Sequence, residues 1–313
     1  MTGKKLLLVM LLTVLVFFGL AGYGDLQEVS ARLAQFPVTY LMAALALAVL
    51  NYLLRFVRWA YYLRVLGINV PFHISFFVFL SGLGMSITPG KVGEFLKSHL
   101  LRDRVGVVVA SSAPAIAMER VTDVMSVVLL GLTGLALLPP AVSLALVAVS
   151  GLCGGAMLLI TSRRSDWLLE LPVLRRWKGP LSTSREGLRM LTAPRAMLIA
   201  VVLGGLAWLS EGVALWIILQ GLNADVALLQ ALPVYAAATL IGAISTLPGG
   251  LVGTEGTMLA LLQRVGIGPG PAAAATLLVR LVTLWFAVGI GLVALGCFQR
   301  SRPAQRPDPV GGD

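Results

Sequence analysis

Two Pro-Gly turns lie deep in apolar sequence, and a glutamate follows each within a few residues. The first reads Ser86-Ile-Thr-Pro89-Gly90-Lys91-Val-Gly-Glu94, the second Ser245-Thr-Leu-Pro248-Gly249-Gly250-Leu-Val-Gly-Thr-Glu255. Proline removes a backbone donor and glycine loosens the chain, so Pro89, Gly90, Pro248, Gly249 and Gly250 are turn or hinge positions. Inside a bilayer such backbone persists only where protein buries it or where it lines a wet cavity. Two breaks in corresponding places are the pattern of a translocation pathway, with ligands held by broken helices and nearby charge.

The charges beside the turns supply candidate chemistry. Lys91, Glu94 and Lys97 form a candidate headgroup site: the lysines attract phosphate, and Glu94 meets a cationic group or balances charge. Glu94 and Lys97 share a face if a helix starts there, with Glu94 near its positive end; the alternative is a loop with an ordinary capping charge. Glu255 closes an uncharged run from Val226 to Thr254. An ionisable group within a span costs roughly 2.5–3.5 kcal/mol, so it faces a cavity or a partner unless it lies beyond a short hairpin.

Glu119, Arg120 and Asp123 open a long apolar segment, and Arg120 and Asp123 are spaced to pair on a helix. Arg280 has no neighbouring acid, which leaves Glu255 and Glu211 as available partners. Arg120 and Arg280 then either fix helix packing or bind phosphate from opposite sides. Glu211 lies mid-span between Trp208 and Trp216 and is either an arginine's partner or a proton carrier. Arg55, Arg58 and Trp59 read as an interfacial anchor, the alternative being a ligand site.

No nucleophile–base pair, Walker loop or metal-ligand cluster emerges, so no cofactor and no metal are expected. His73 and His99 are too few and too separated for a metal site, and Cys153 and Cys297 sit in apolar sequence.

The elements that position these charges are membrane helices. The 313 residues are 58% hydrophobic and 12% charged, with mean hydropathy +0.91, which points to an all-α, polytopic helical membrane protein. Expected spans are about 5–22, 38–57, 117–138, 141–161, 196–219 and 276–298. Regions 72–117 and 231–275 read as short half-helices or re-entrant segments. Lys4 and Lys5 precede an apolar run that exits at Gly22-Tyr-Gly-Asp25, a weak cleavage site, so a retained first helix is expected.

The second half echoes the first. Arg104-Val-Gly106 and Arg264-Val-Gly266 are 160 residues apart, as are Arg120 and Arg280; upstream, Gly67-Ile-Asn69 pairs with Gly221-Leu-Asn223. One membrane domain, 1–298, is expected to hold repeat units of about 38–138 and 196–298. A linker helix at 141–161 and a basic cytoplasmic loop at 162–195 join them, and a disordered tail follows at 299–313. The net charge is +10, but the basic residues flank spans instead of forming one stripe. That excludes a nucleic-acid partner and orients the chain. Both termini and the basic loop are expected on the cytoplasmic side of the cell inner (plasma) membrane, so the repeat is inverted. Within the loop, Trp167 and Leu171 to Trp177 could lie flat on the inner leaflet.

Taken together the motifs resemble the lysylphosphatidylglycerol synthase transmembrane-region family, also called flippase-like membrane proteins. The resemblance rests on Arg55-Phe-Val-Arg58-Trp59, Pro89-Gly-Lys-Val-Gly-Glu94 with Lys97, Glu119-Arg120 with Asp123, and Pro248-Gly-Gly-Leu-Val-Gly-Thr-Glu255, and covers about residues 5–298. In better-known members this region moves aminoacylated phosphatidylglycerol between leaflets, and a separate soluble domain makes that lipid. Without that domain the resemblance implies translocation, not synthesis. Relatives of this kind are associated with glycolipid, polyprenyl-lipid or hopanoid pathways. The expected partners are membrane lipids. The rival readings are an accessory subunit that recruits a separate lipid-modifying enzyme, and an intramembrane transferase using Glu94 or Glu255 as base.

The topology is testable directly. With Cys153 and Cys297 replaced by serine, Arg175→Cys should react with an impermeant thiol reagent only after cells are permeabilised. Strong labelling of intact cells would reverse the orientation.

Overall fold

A computed structural model of the protein describes residues 3–88, 93–134, 138–162 and 178–300. Its regular elements are all helical: α1 (Gly3–Tyr23), α2 (Leu26–Ala34), α3 (Val38–Val65), α4 (Phe72–Leu83), α5 (Leu96–Val105), α6 (Val109–Leu132), α7 (Pro140–Thr161), α8 (Lys178–Leu191), α9 (Pro194–Gly221), α10 (Leu228–Ile244), α11 (Gly253–Arg264) and α12 (Pro269–Arg300). α3, α9 and α12 are long and apolar enough to cross a membrane. At 24 residues, α6 reaches about 36 Å but carries Glu119, Arg120 and Asp123 in its middle. α1 and α2 meet at a bend of 104°, where Asp25 takes a positive φ and caps α2 through its side chain.

The order of elements recurs. α3 and α9 each have 28 residues. Both end in the same left-handed cap, at Gly67 (φ 69°) and Asn223 (φ 56°). The flanking amides Ile68 and Ala224 reach back to the Leu63 and Leu219 carbonyls. This cap sets the register: Gly67 corresponds to Asn223, not to Gly221 as the residue names imply. The starts of α3 and α9, Val38 and Pro194, differ by 156 residues, as do those of α4 and α10. The starts of α6 and α12, Val109 and Pro269, differ by 160. The slippage falls in and before the Pro-Gly turns, where α10 has 17 residues against 12 in α4.

α3 and α9 run antiparallel. Phe36 and Tyr40 abut Gly221, whereas Arg58 abuts Gly204. Between them the Asn51 amide donates to the Ala207 carbonyl, and in the 156-residue register Ala207 is the counterpart of Asn51. A residue touching its own counterpart lies on the axis relating the two sets. The remaining contacts are reciprocal: α4 packs on α12 and α10 on α6. α4 and α10 are too short to cross alone, and each gives way to a turn and a second short helix, α5 or α11.

The structure corrects three expected boundaries, one being the start of α12 at Pro269 and not near 276. α3 runs to Val65 and not to 57, and α6 begins at Val109 and not near 117. Glu119, Arg120 and Asp123 therefore lie mid-helix instead of opening it. Pro114 stands inside α6 and supplies no amide for the Ala110 carbonyl; the Ser184 hydroxyl of α8 donates there at 2.8 Å. α8 is the described part of the basic loop, and its Gly187 packs on Pro114 and Leu66. Residues 163–177 and the expected disordered tail beyond Arg300 lie outside the described residues.

The α4–α12 crossing is backbone on backbone. A methyl group on Gly291 would stand 2.0 Å from the Gly84 nitrogen, whereas one on Gly289 meets nothing. Gly291→Ala should therefore cost about 1–3 kcal/mol through overpacking, and Gly289→Ala should be neutral or stabilising. Thermal stability of the detergent-purified variants checks this; equal stability would refute the close crossing.

Candidate functional site

The second Pro-Gly turn, the segment that follows α4 and the long helices line one cavity of about 220 Å³. Its wall takes Tyr52 and Arg55 from α3, Arg120 and Asp123 from α6, Trp208 and Glu211 from α9, Tyr235 from α10 and Arg280 from α12; Ser86 and Thr88 come from the segment after α4, and Thr246, Gly249 and Gly250 from the second Pro-Gly turn.

Asp123 organises the first-set side. Its carboxylate lies 2.6 Å from Arg58, 3.1 Å from Arg120 and 3.7 Å from Arg55, and it accepts the Trp208 indole N–H at 3.2 Å. Arg120 also reaches Glu94 at 3.0 Å. On the second-set side the Arg280 Nε–H donates to Glu255 at 2.5 Å, while Nη2 donates to the Gly249 carbonyl at 2.6 Å. That carbonyl belongs to the second Pro-Gly turn, so one arginine ties α12, α11 and the turn together. The Tyr235 hydroxyl donates to Glu211 at 2.5 Å.

Local backbone fixes these positions. α12 has a π-helical turn at Leu281–Trp285, directly after Arg280; such turns concentrate at functional sites. In the second Pro-Gly turn Thr246, Gly249, Gly250 and Val252 all take positive φ. Val252, at φ 69° and ψ −52°, is a β-branched residue in a region that L side chains rarely adopt, so the turn holds strain beside the cavity.

The expected site residues separate into three groups. Arg120, Asp123, Glu211 and Arg280 face the cavity together with Gly249 and Gly250. Glu94 and Glu255 are buried behind the wall as partners of Arg120 and Arg280, so they meet arginine where a cationic headgroup was expected. Lys97 is also buried, paired with Glu119 and, at 3.8 Å, with Glu94. Its ammonium stands 4.6 Å from the Trp59 ring centre and 5.6 Å from that of Phe79. A direct headgroup contact is thereby replaced by a packing role. Pro248 opens the helical turn Pro248–Gly250. Pro89, Gly90 and Lys91 lie outside the described residues.

Arg55, Arg58 and Trp59 are not an interfacial anchor. All three are buried, Arg58 and Trp59 completely. α3 continues beyond them, and the acid on α6 draws both arginines inward. The Trp59 indole donates to Ser75 at 3.2 Å. Tyr52 and Tyr235 were not singled out from the sequence. Their signal was position: tyrosine belongs at membrane boundaries, and these two sit mid-span.

The family model described as lysylphosphatidylglycerol synthase TM region matches residues 5–291. A UPF0104 membrane protein of Methanothermobacter thermautotrophicus is 31% identical over 128 residues, 41% of this chain and 38% of that protein. The glycosyltransferase AglD of Haloferax volcanii is 28% identical over 154 residues, 47% of this chain and 24% of that protein. In both cases the match spans well under two thirds of the relative.

One buried ion pair of the first set has an apolar pair as its counterpart in the second. One turn past Glu94 stands Lys97, and one turn past Glu255 stands Met258; before Arg120 stands Glu119, and before Arg280 stands Val279. All four are buried. The second set thus packs two apolar side chains where the first packs an ion pair. Lys97→Met alone should cost about 3–5 kcal/mol by stranding the Glu119 charge. Combining it with Glu119→Val should restore near-wild-type stability, a strong non-additivity. Thermal unfolding in detergent measures both; a double variant as unstable as the single would disprove the equivalence.

Proposed function

Because the chain belongs to the lysylphosphatidylglycerol synthase TM region family, we propose that it is a lipid translocase, moving a lipid with a polar or charged headgroup between leaflets. The observation that carries this reading is the convergence of the second Pro-Gly turn, of Ser86 and Thr88 just before the first, and of Arg120 and Arg280 on one cavity. At about 220 Å³ the cavity is smaller than the roughly 300–1,000 Å³ of drug-sized ligand sites. It suits a headgroup whose acyl chains remain in the bilayer.

The headgroup lies between Arg120 and Arg280, which Glu94 and Glu255 hold in place from behind. The strained second turn acts as the hinge, because the Arg280 bond to the Gly249 carbonyl must yield when α12 shifts. The two antiparallel sets rock about the α3–α9 contact and expose the cavity to each leaflet in turn, as in other inverted repeats. In this reading the protein resides in the cell inner membrane with both termini and α8 on the cytoplasmic side. The likeness to a protein named a glycosyltransferase favours one second reading, an accessory subunit or intramembrane transferase in a glycolipid pathway.

Purified protein in vesicles, given a panel of labelled lipids, separates these readings, because only a translocase accelerates leaflet exchange beyond an inert membrane-protein control. Glu94→Gln and Glu255→Gln keep size and hydrogen bonding but remove the charge that positions each arginine. With hydrogen bonds to charged groups worth about 1.5–3 kcal/mol, expression-normalised exchange should fall at least about tenfold in either variant while membrane insertion is preserved. Near-wild-type exchange in both would remove the two carboxylates from the mechanism.

A further inference from the structure

Among the cations at the cavity, Arg55 stands apart. Arg58 is fully buried and bonded to Asp123 and Thr122. Arg280 is bonded to Glu255 and Gly249, and Arg120 lies within 3.1 Å of two carboxylates. Arg55 has a side chain only 9% exposed, and its ion-pair contact with Asp123 is 3.7 Å long, beyond hydrogen-bond reach. Its Nε–H, like those of Arg58 and Arg120, is buried and meets no acceptor, but among the described residues Arg55 has only this one distant carboxylate as an ion-pair partner. A guanidinium has five donors and cannot shed its proton, so leaving it so little bonded inside a membrane protein is costly. Its side chain lines the cavity.

We infer that Arg55 is the anchor for an oxyanion of the phosphate class, held in the cavity by the guanidinium fork. The planar fork matches a phosphate bidentately, and the missing acceptors are what two phosphate oxygens supply. Arg120 and Arg280 border the same space from α6 and α12, so that three arginines stand against the two carboxylates Asp123 and Glu211 in the lining. Across the cavity, the counterpart of Arg55 in the 156-residue register is Glu211, which also lines the space and holds the Tyr235 hydroxyl. The two sets therefore present opposite charges at equivalent places. A phosphate seated on Arg55 is polarised toward the first set, and any ammonium on the same headgroup finds its acceptor on the second. This inference rests on the cavity being the headgroup site, and it adds the residue that recognises the ligand and the ligand's chemical class.

Binding to the intact, detergent-purified protein tests it apart from transport. The probes are dioctanoyl phosphatidylglycerol, inorganic phosphate and dioctanoylglycerol, with thermal stabilisation and Trp208 fluorescence as readouts. The phospholipid should stabilise the wild type and dioctanoylglycerol should not. Arg55→Gln should weaken phospholipid binding about tenfold or more, as expected for loss of a charged hydrogen-bond donor. Arg55→Lys, which retains the charge facing Asp123, should bind several-fold more weakly than wild type because it lacks the fork. If inorganic phosphate alone binds and the dependence on Arg55 persists, the oxyanion site stands and its source is free phosphate. Unchanged affinity in Arg55→Gln, or in Arg55→Lys should Arg55→Gln not fold, overturns the inference, as does equal binding of dioctanoylglycerol. Wild-type binding without leaflet exchange in vesicles would instead defeat translocation and leave the Arg55 site intact.

Discussion

A charge taken out of water must find an opposite charge, and this constraint shapes the membrane core of the protein. Arg55, Arg58, Lys97, Arg120 and Arg280 face Glu94, Glu119, Asp123, Glu211 and Glu255, all on or beside helices that cross or enter the bilayer. Removing one member of such a pair costs about 3–5 kcal/mol, whereas replacing both by apolar groups can be neutral or stabilising. The charges are therefore poor evidence of stability for its own sake. They dictate instead which helices must touch: α3 reaches α6 through Asp123, α5 reaches α6 through Lys97, and α11 reaches α12 through Glu255.

The second set keeps less of this network. Met258 and Val279 occupy the places of Lys97 and Glu119, and Thr283 occupies that of Asp123, leaving the Glu255–Arg280 pair as the counterpart of the Glu94–Arg120 pair. Apolar contacts are less directional than ion pairs, so α11 is held to α12 by fewer geometric constraints than α5 is to α6. The same half carries the strained residues Thr246 and Val252 and the π-helical turn of α12. Rigid pairing gathers in one set and stored strain in the other, an uneven distribution within a repeated framework.

The sequence made some of this legible. Helix breakers in an apolar run announced the turn at Pro248–Gly250, and Arg280, an arginine with no local acid, required a distant carboxylate, which proved to be Glu255. The Lys97–Glu94 spacing was readable too, because residues three apart on a helix share a face. Other features resisted. Arg55 and Arg58 near a helix end resemble interfacial residues, and only the tertiary position of Asp123 turns them inward. The start of α6 was hidden because Pro114 reads as a helix breaker; the Ser184 hydroxyl that satisfies Ala110 comes from 74 residues away. The register of α3 against α9 was misread because glycine and asparagine both serve as left-handed caps, so equal names stood at unequal positions.

Charge balance also bears on the proposed passage of a lipid. Apart from Arg55, the cavity's arginines already pair with carboxylates, so in the proposed translocation a headgroup reaches them only by exchanging partners: as phosphate approaches such an arginine, a carboxylate gives up part of its share. Such exchange keeps the number of ionic contacts roughly constant through the bilayer, which avoids both a deep trap and a high barrier. Arg120 is placed for it, between Glu94 at 3.0 Å and Asp123 at 3.1 Å, since loosening either acid leaves the other in contact. Arg280 solves the same problem differently, with one carboxylate and one backbone carbonyl. Releasing the carbonyl frees the turn, so partner exchange at Arg280 is coupled to movement of the chain, whereas exchange at Arg120 is not.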